Sequence, residues 1–471
     1  MAICKEAIDE YKQFLTKYLL PLLGIPHKSD ELITIDQNTQ YMGAPVVFEN
    51  DIIYFSTDKD TIFKIIYSDL TEDNRKLAVN IVQSFFNVSK YRLTSSEIVI
   101  NHSYYSNIQK DANYKMAIQK GICNWIVGTK NDAVEKLFDL LEKWSVQTYE
   151  GKKVTFGFII NPEANSDFSD NYGDWCDFLD DDFSAVLTDC IDSAIELDVN
   201  CNFVRYISLT DNTLVEQSNN YMLDESLPFR FSEIISRYVV NKCVGIFLLN
   251  NGDIIISKDK VIRFVKRNLK WLNFNYLAFY NSIQNFCETA NVNKTLVESI
   301  FASVLDVSFA HTGGIISVVK DISKLSNNEQ DGYPILNACD YLLTSKTNEE
   351  IEKEIVATKM NSSTKPESLD KEINKRMLKR KVIKTLVGEN DFVHLDRKLR
   401  CELISMDGAC ILDTDGKICS FGAIIKNDSG SSGGGRGAAA KKLSNYGFAI
   451  KISTDGYIEL FVNGEPTYAI K

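Results

Sequence analysis

The feature that most constrains this chain is an alternation near its C-terminal end. An apolar strand pair, a glycine-rich polar loop and a second apolar strand pair follow one another without interruption. Residues 404–425 read ISMDGACILDTDGKICSFGAII, 426–447 read KNDSGSSGGGRGAAAKKLSNYG, and 448–464 read FAIKISTDGYIELFVNG. Apolar runs separated by Asp-Gly pairs predict β-hairpins, including one with strands 448–453 and 457–462 turning at Asp455-Gly456. The alanine run after the glycines predicts a helix over 438–444. A carboxylate, Asp407, stands at one end of this stretch and a cation, Arg436, near the other. Backbone amides, a cation and an acid able to carry a metal are the parts that phosphate chemistry requires.

At 471 residues the chain exceeds one ordinary domain, and two or three are expected. The net charge of −12 argues against binding a nucleic-acid polymer, which needs a basic face. Eleven cysteines include no C-x-x-C pair, and His27, His102, His311 and His394 have no zinc-site spacing. That pattern reads as reduced thiols in a cytoplasmic protein. The opening MAICKEAIDEYKQFL is charged and amphipathic rather than a signal peptide, and no apolar run reaches membrane-spanning length. No membrane association is expected.

Along the chain, residues 1–24 predict a helix and 44–66 a hairpin, with helices near 71–87 and 130–145. GKKVTFGFIINP (151–162) reads as a buried strand. Seven aspartates between Asp167 and Asp182 form an acidic stretch without EF-hand spacing, which reads as a solvated loop or as a cation site. A helix over 183–198, a strand over 203–209, a helix near 230–241 and a hairpin at Asn250-Asn251-Gly252 follow. DIIYFSTDKDTIFKI (51–65) echoes DIIISKDKVIRFV (253–265), either through duplication or by chance. Residues 291–310 predict a long amphipathic helix and 313–320 a buried strand. The charged 321–380 segment predicts helix, loop at Pro366 and helix, as a surface insertion. The expected domains are 1–148, 149–288 and 289–471, all of mixed α/β class.

In the order of its motifs, the C-terminal part resembles the diadenylate cyclase (DAC) domain family. HTGGIISVV (311–319) is similar to that family's helix-to-strand entry, and Asp407-Gly408-Ala409 to its DGA motif. A hairpin ending FGAII (421–425) comes next. Gly434-Gly435-Arg436-Gly437-Ala438-Ala439-Ala440 then resembles G-T-R-H-R-A-A, with Gly437 and Ala438 in place of the His and second Arg. Ile452-Ser453-Thr454-Asp455 is similar to the closing V-S-E-E. The hairpin and helix after residue 244 resemble the DACNV-type sensor regions that precede such modules.

The resemblance implies a central mixed sheet flanked by helices, and condensation of two ATP to cyclic di-AMP with Mg²⁺ or Mn²⁺. It implies a face-to-face homodimer or higher assembly, with an unknown small-molecule signal acting on the N-terminal sensor region. Asp407 and Arg436 would be catalytic, and Asp407 and Asp455 would hold the metal. Gly408, Ala409, Gly433, Gly434, Gly435, Gly437, Lys441 and Ser453 would contact nucleotide. Each has a plainer reading: Asp407 and Asp455 as turn residues, the glycine run as a linker, and Arg436 and Lys441 as solvated charges. The missing His and Arg leave two alternatives open: a nucleotide-binding receptor without turnover, or a cyclase making another oligonucleotide.

Overall fold

The computed structural model describes residues 5–23, 25, 34–36, 46–49, 52–56, 62–66, 71–93, 107–128, 132–149, 151–164, 193–208, 231–289, 292–326, 335–336, 340, 342, 349–351, 353, 366–388, 391–425 and 434–470. The acidic stretch at 167–182 and residues 430 and 433 lie outside them. The chain is of mixed α/β class and forms two compact units, the first extending to Asn275 and the second beginning at Tyr276. No helix among the described residues is long and apolar enough to cross a membrane.

The first unit opens with α1 (Lys5–Phe14), which runs through a π-helical turn at Leu15–Leu19 into α2 (Leu20–Leu22). A four-stranded antiparallel sheet follows, in the order β1 (Thr34–Asp36), β4 (Ile62–Ile66), β3 (Ile52–Ser56) and β2 (Val46–Glu49). Helices α3 (Glu72–Leu93), α4 (Asn107–Val127) and α5 (Asp132–Ser145) come next, and α4 has no counterpart among the expected elements. After the short pair β5 (Thr148–Tyr149) and β6 (Lys152–Lys153), the chain builds a seven-stranded sheet. Its strands are β7 (Phe156–Ile160), β8 (Ser193–Leu197), β9 (Phe203–Ser208), β10 (Val244–Leu248), β11 (Ile254–Lys258), β12 (Val261–Arg267) and β13 (Lys270–Asn273). Helix α6 (Ser232–Tyr238) precedes β10.

One apolar core joins Phe14, Phe55 and Leu77 to Phe156, Ile246 and Phe264, so packing continues across the boundary expected at residue 148. The helix expected over 183–198 is corrected for its last turn. Ser193–Leu197 is a strand, paired parallel with β7, and residues before it lie outside the described set. Burial of Ala194, Ile195 and Leu197 explains this, while Asn161 and Arg205 bond the Glu196 carboxylate.

The second unit is a mixed six-stranded sheet between helices. Helices α7 (Tyr276–Thr289) and α8 (Lys294–Ala310) lead into β14 (Gly314–Val319). Then come α9 (Ser323–Ser326), α10 (Pro366–Val387), α11 (Arg397–Ser405), β15 (Ala409–Asp413) and β16 (Ile418–Ala423). Helix α12 (Gly434–Leu443) and strands β17 (Gly447–Ile452), β18 (Ile458–Val462) and β19 (Glu465–Ile470) complete it. The order is β16-β15-β14-β17-β18-β19, antiparallel except for the β14–β15 pair. Ile315, Ala409 and Ala449 share a core with Ala439, Ala440 and Leu443 of α12, while Phe448 meets Phe286 of α7 on the opposite face.

The 321–380 segment is not wholly a surface insertion. Leu325, Ile335 and Leu336 join the sheet's core. The Leu342 N–H donates to the Cys419 carbonyl at 2.8 Å, and Ser420 donates to the Asp340 carbonyl at 2.5 Å. Pro366 opens α10 rather than occupying a loop, since the first helical turn needs no N–H from it.

Candidate functional site

Three adjacent strands bring the motif residues to one end of the second unit's sheet. β14 and β15 run parallel, with Ile316 beside Cys410, so their N-terminal ends coincide. β17 runs antiparallel to β14 and ends there, with Ile452 opposite Gly314. Asp407 before β15, Gly313 before β14 and Ser453 after β17 therefore sit at the same end, adjacent strands being about 4.8 Å apart.

Local chemistry fixes each approach. Helix α8 closes at His311 in the left-handed conformation, which turns the chain into Thr312-Gly313. Helix α11 is N-capped by Asp396, whose carboxylate accepts the N–H groups of Lys398 and Leu399 at 2.9 and 3.4 Å. Arg397 clamps α11 to α8 through a two-pronged contact with Asp306, at 2.5 and 2.8 Å. The far end of α11 is fixed by Ser405, whose hydroxyl lies 2.7 Å from that of Thr312. Asp407 follows directly, exposed, and its carboxylate makes no hydrogen bond or ion pair among the described residues. Gly408, at φ +107°, is required by closeness: a Cβ there would lie 2.3 Å from the Gly422 carbonyl carbon. The Gly422 carbonyl in turn accepts from Lys379 of α10 at 2.7 Å.

Helix α12 approaches from the other side and packs on β14 and β17, its first turn above the same sheet end. Arg436 is half-buried and reaches Gly313: a Cβ on that glycine would lie 2.5 Å from Nη1 and 3.0 Å from the Thr454 backbone nitrogen. Neither that guanidinium nor the Thr454 N–H has a hydrogen-bond partner among the described residues. Two donors without a partner among the described residues thus lie within 3.0 Å of one point. Among the described residues nothing stands within 4 Å of a side chain added at Gly434 or Gly435.

Not every expected residue belongs here. Lys441 is at the C-terminal end of α12, and its Nζ lies 3.4 Å from Glu465 at the start of β19, which is the opposite end of the sheet. Ala409 is fully buried and serves the core. The Ser453 hydroxyl accepts the Tyr457 N–H at 3.1 Å, and the Ser453 carbonyl accepts the Gly456 N–H at 2.9 Å, so this residue shapes the turn. Asp455 is exposed in that turn, which Ser308 of α8 anchors by donating to the Gly456 carbonyl. Gly437 lies in α12's first turn, and apart from the helix itself the nearest described atom to a Cβ added there is Lys451 Nζ, at 3.8 Å. Sequence reasoning missed Lys451. Its one signal is a lysine inside an otherwise apolar strand.

Among the described residues no group of three or more His, Cys, Asp or Glu could hold a metal ion. Asp407 and Asp455 adjoin strands separated by β14, about 10 Å apart at the backbone, and so flank the site rather than close a cage. One free carboxylate still suits Mg²⁺, which uses one or two carboxylates and takes its other ligands from substrate phosphates and water. No family model matches this chain, and neither the curated proteins nor the solved structures include a match.

Proposed function

We propose that the second unit binds ATP at this sheet end and, in a face-to-face pair of copies, condenses two ATP to cyclic di-AMP, in the cytoplasm where ATP and Mg²⁺ are plentiful. The observation that carries the reading is Arg436: a half-buried guanidinium, unpaired among the described residues, laid over Gly313 beside a free backbone N–H. A planar, doubly donating cation without an acid partner suits a polyphosphate tail.

In the reaction the 3′-oxygen of one ATP bonds to the α-phosphorus of the other. The bond from that phosphorus to the pyrophosphate oxygen breaks, and the hydroxyl proton passes to a base. Repeating the step closes the ring and releases the second pyrophosphate. Arg436 and the Thr454 N–H hold and neutralise phosphate oxygens, and Asp407 orients the attacking hydroxyl and accepts its proton. Mg²⁺ or Mn²⁺, held by Asp407 and phosphate oxygens, would supply further charge withdrawal. A single site presents one ATP, so turnover requires a symmetric partner. The first unit would bind a small-molecule signal and bias that pairing.

The second reading, a nucleotide receptor without turnover, is favoured by one feature. Ala438 is buried against the sheet where the resembled motif carries its second Arg. Incubation with ATP and Mn²⁺ followed by mass spectrometry separates the readings. Cyclic di-AMP that disappears in Asp407→Asn and Arg436→Ala supports the cyclase. ATP binding without product supports the receptor, and a linear or mixed-base product points to another oligonucleotide. Absence of both binding and product removes the nucleotide reading.

A further inference from the structure

We propose that Lys451 is the second phosphate-binding cation of the site and that Glu459 holds it until the nucleotide's phosphates arrive; this rests on the ATP-binding reading above. Lys451 is on β17, directly between Ile315 of β14 and Glu459 of β18. It shares a sheet face with Ala449, the face that α12 covers. Its ammonium lies 2.7 Å from Glu459 Oε2, with the two side chains only 17% and 13% exposed.

Two features make this pair more than a structural bridge. The first is position: apart from the helix itself, the ammonium is the nearest described atom, at 3.8 Å, to the place where a side chain on Gly437 would begin. The helix offers no side chain at that point, and a cation from the sheet lies closest to it. The second is neighbourhood. Gly437 follows Arg436, so the lysine stands one residue along the helix from a guanidinium that has no partner of its own. Bringing a lysine and an arginine together at one partly desolvated sheet end is unfavourable unless an anion offsets them. Glu459 offsets one charge. A triphosphate tail would offset both, with Lys451 exchanging one carboxylate oxygen for a phosphate oxygen and no covalent bond changing.

The test is calorimetric titration of the full chain with α,β-methylene-ATP and Mg²⁺, which binds without turnover. Lys451→Met is expected to weaken binding about 10-fold or more, the loss of one charge-assisted hydrogen bond. Glu459→Gln, which keeps the lysine and removes its competitor, is expected to tighten binding several-fold. The double variant Lys451→Met/Glu459→Gln should bind as weakly as Lys451→Met. The double variant also guards against misfolding of Lys451→Met, since it removes both charges of the pair and leaves neither buried alone. If Arg436→Ala loses binding while Glu459→Gln and the double variant match the unaltered chain, the role of Lys451 is overturned and the ATP site stands. If the unaltered chain does not bind the analogue, both fall.

Discussion

Arg436 Nη1 lies 2.5 Å from the point where a side chain on Gly313 would begin, so the arginine can reach the sheet end only because position 313 is glycine. Gly313 has φ +69°, so an alanine there would be strained as well as crowded. Gly313→Ala is expected to cost about 1–2 kcal/mol of stability from the backbone and to push the guanidinium away from Thr454. Denaturant unfolding reads the first effect and nucleotide titration the second. Affinity should fall about 10-fold, the loss of one charge-assisted hydrogen bond. Unchanged affinity would mean that Arg436 does not hold phosphate from this position.

The turn carrying Ser453, Thr454 and Asp455 is held from below. The buried Ser308 hydroxyl on α8 donates to the Gly456 carbonyl. Ser308→Ala leaves that carbonyl without its donor and should destabilise the chain by about 1–3 kcal/mol in chemical denaturation. Because the same turn presents the Thr454 N–H, nucleotide affinity should fall with it. A stability loss with unchanged affinity would separate the turn from the site.

What the sequence made legible, and what it did not, follows from the range of the interactions. The β17–β18 hairpin is local: alternation over 447–452 and 458–462 and a glycine at the turn suffice to place it. β8 is not local, because Ser193–Leu197 becomes a strand only through parallel pairing with β7, some thirty residues earlier. Along α12 the sequence places the glycines and Arg436 at the helix start, and the structure has Gly434, Gly435 and Arg436 there. Lys441 is expected with them, although five residues of helix carry it about 7.5 Å along the axis, toward Glu465. Lys451 could not be assigned from the sequence. Its relation to Gly437 arises only when α12 crosses β17, and its partner Glu459 is set by strand register.

Burial decides the reactivity of the thiols. Burial pushes Cys287 and Cys419 up to about 12, and Cys401 likewise to about 12 with Asp306 adding to the effect. At pH 8 only about one thiol in ten thousand is then the reactive thiolate. Alkylation of the native chain at these positions should be slow, and should become fast on addition of denaturant, as read by mass spectrometry of peptides. Rapid labelling of Cys401 in the native state would mean that α11 opens readily from α8.

Asp413 ends β15 and shapes the turn into β16, accepting the N–H groups of Asp415 and Lys417 at 3.0 and 2.8 Å. Burial outweighs those two bonds and holds its carboxyl above the usual carboxylate value, with the Asp415 charge adding to the rise. The folded chain therefore binds this proton more tightly than the unfolded chain. The resulting stabilisation is fully present below the unfolded value and is lost as pH rises through the raised folded one. At neutral pH the charged form opposes folding. Asp413→Asn keeps an oxygen to accept both N–H groups and removes the charge, so it should raise Tm at pH 7 by about 1–3 °C. The gain should shrink as pH is lowered into the carboxylate range, where Asp413 itself is neutral. Thermal melts of both chains across that range check the sign, and a benefit that grows on acidification would contradict it.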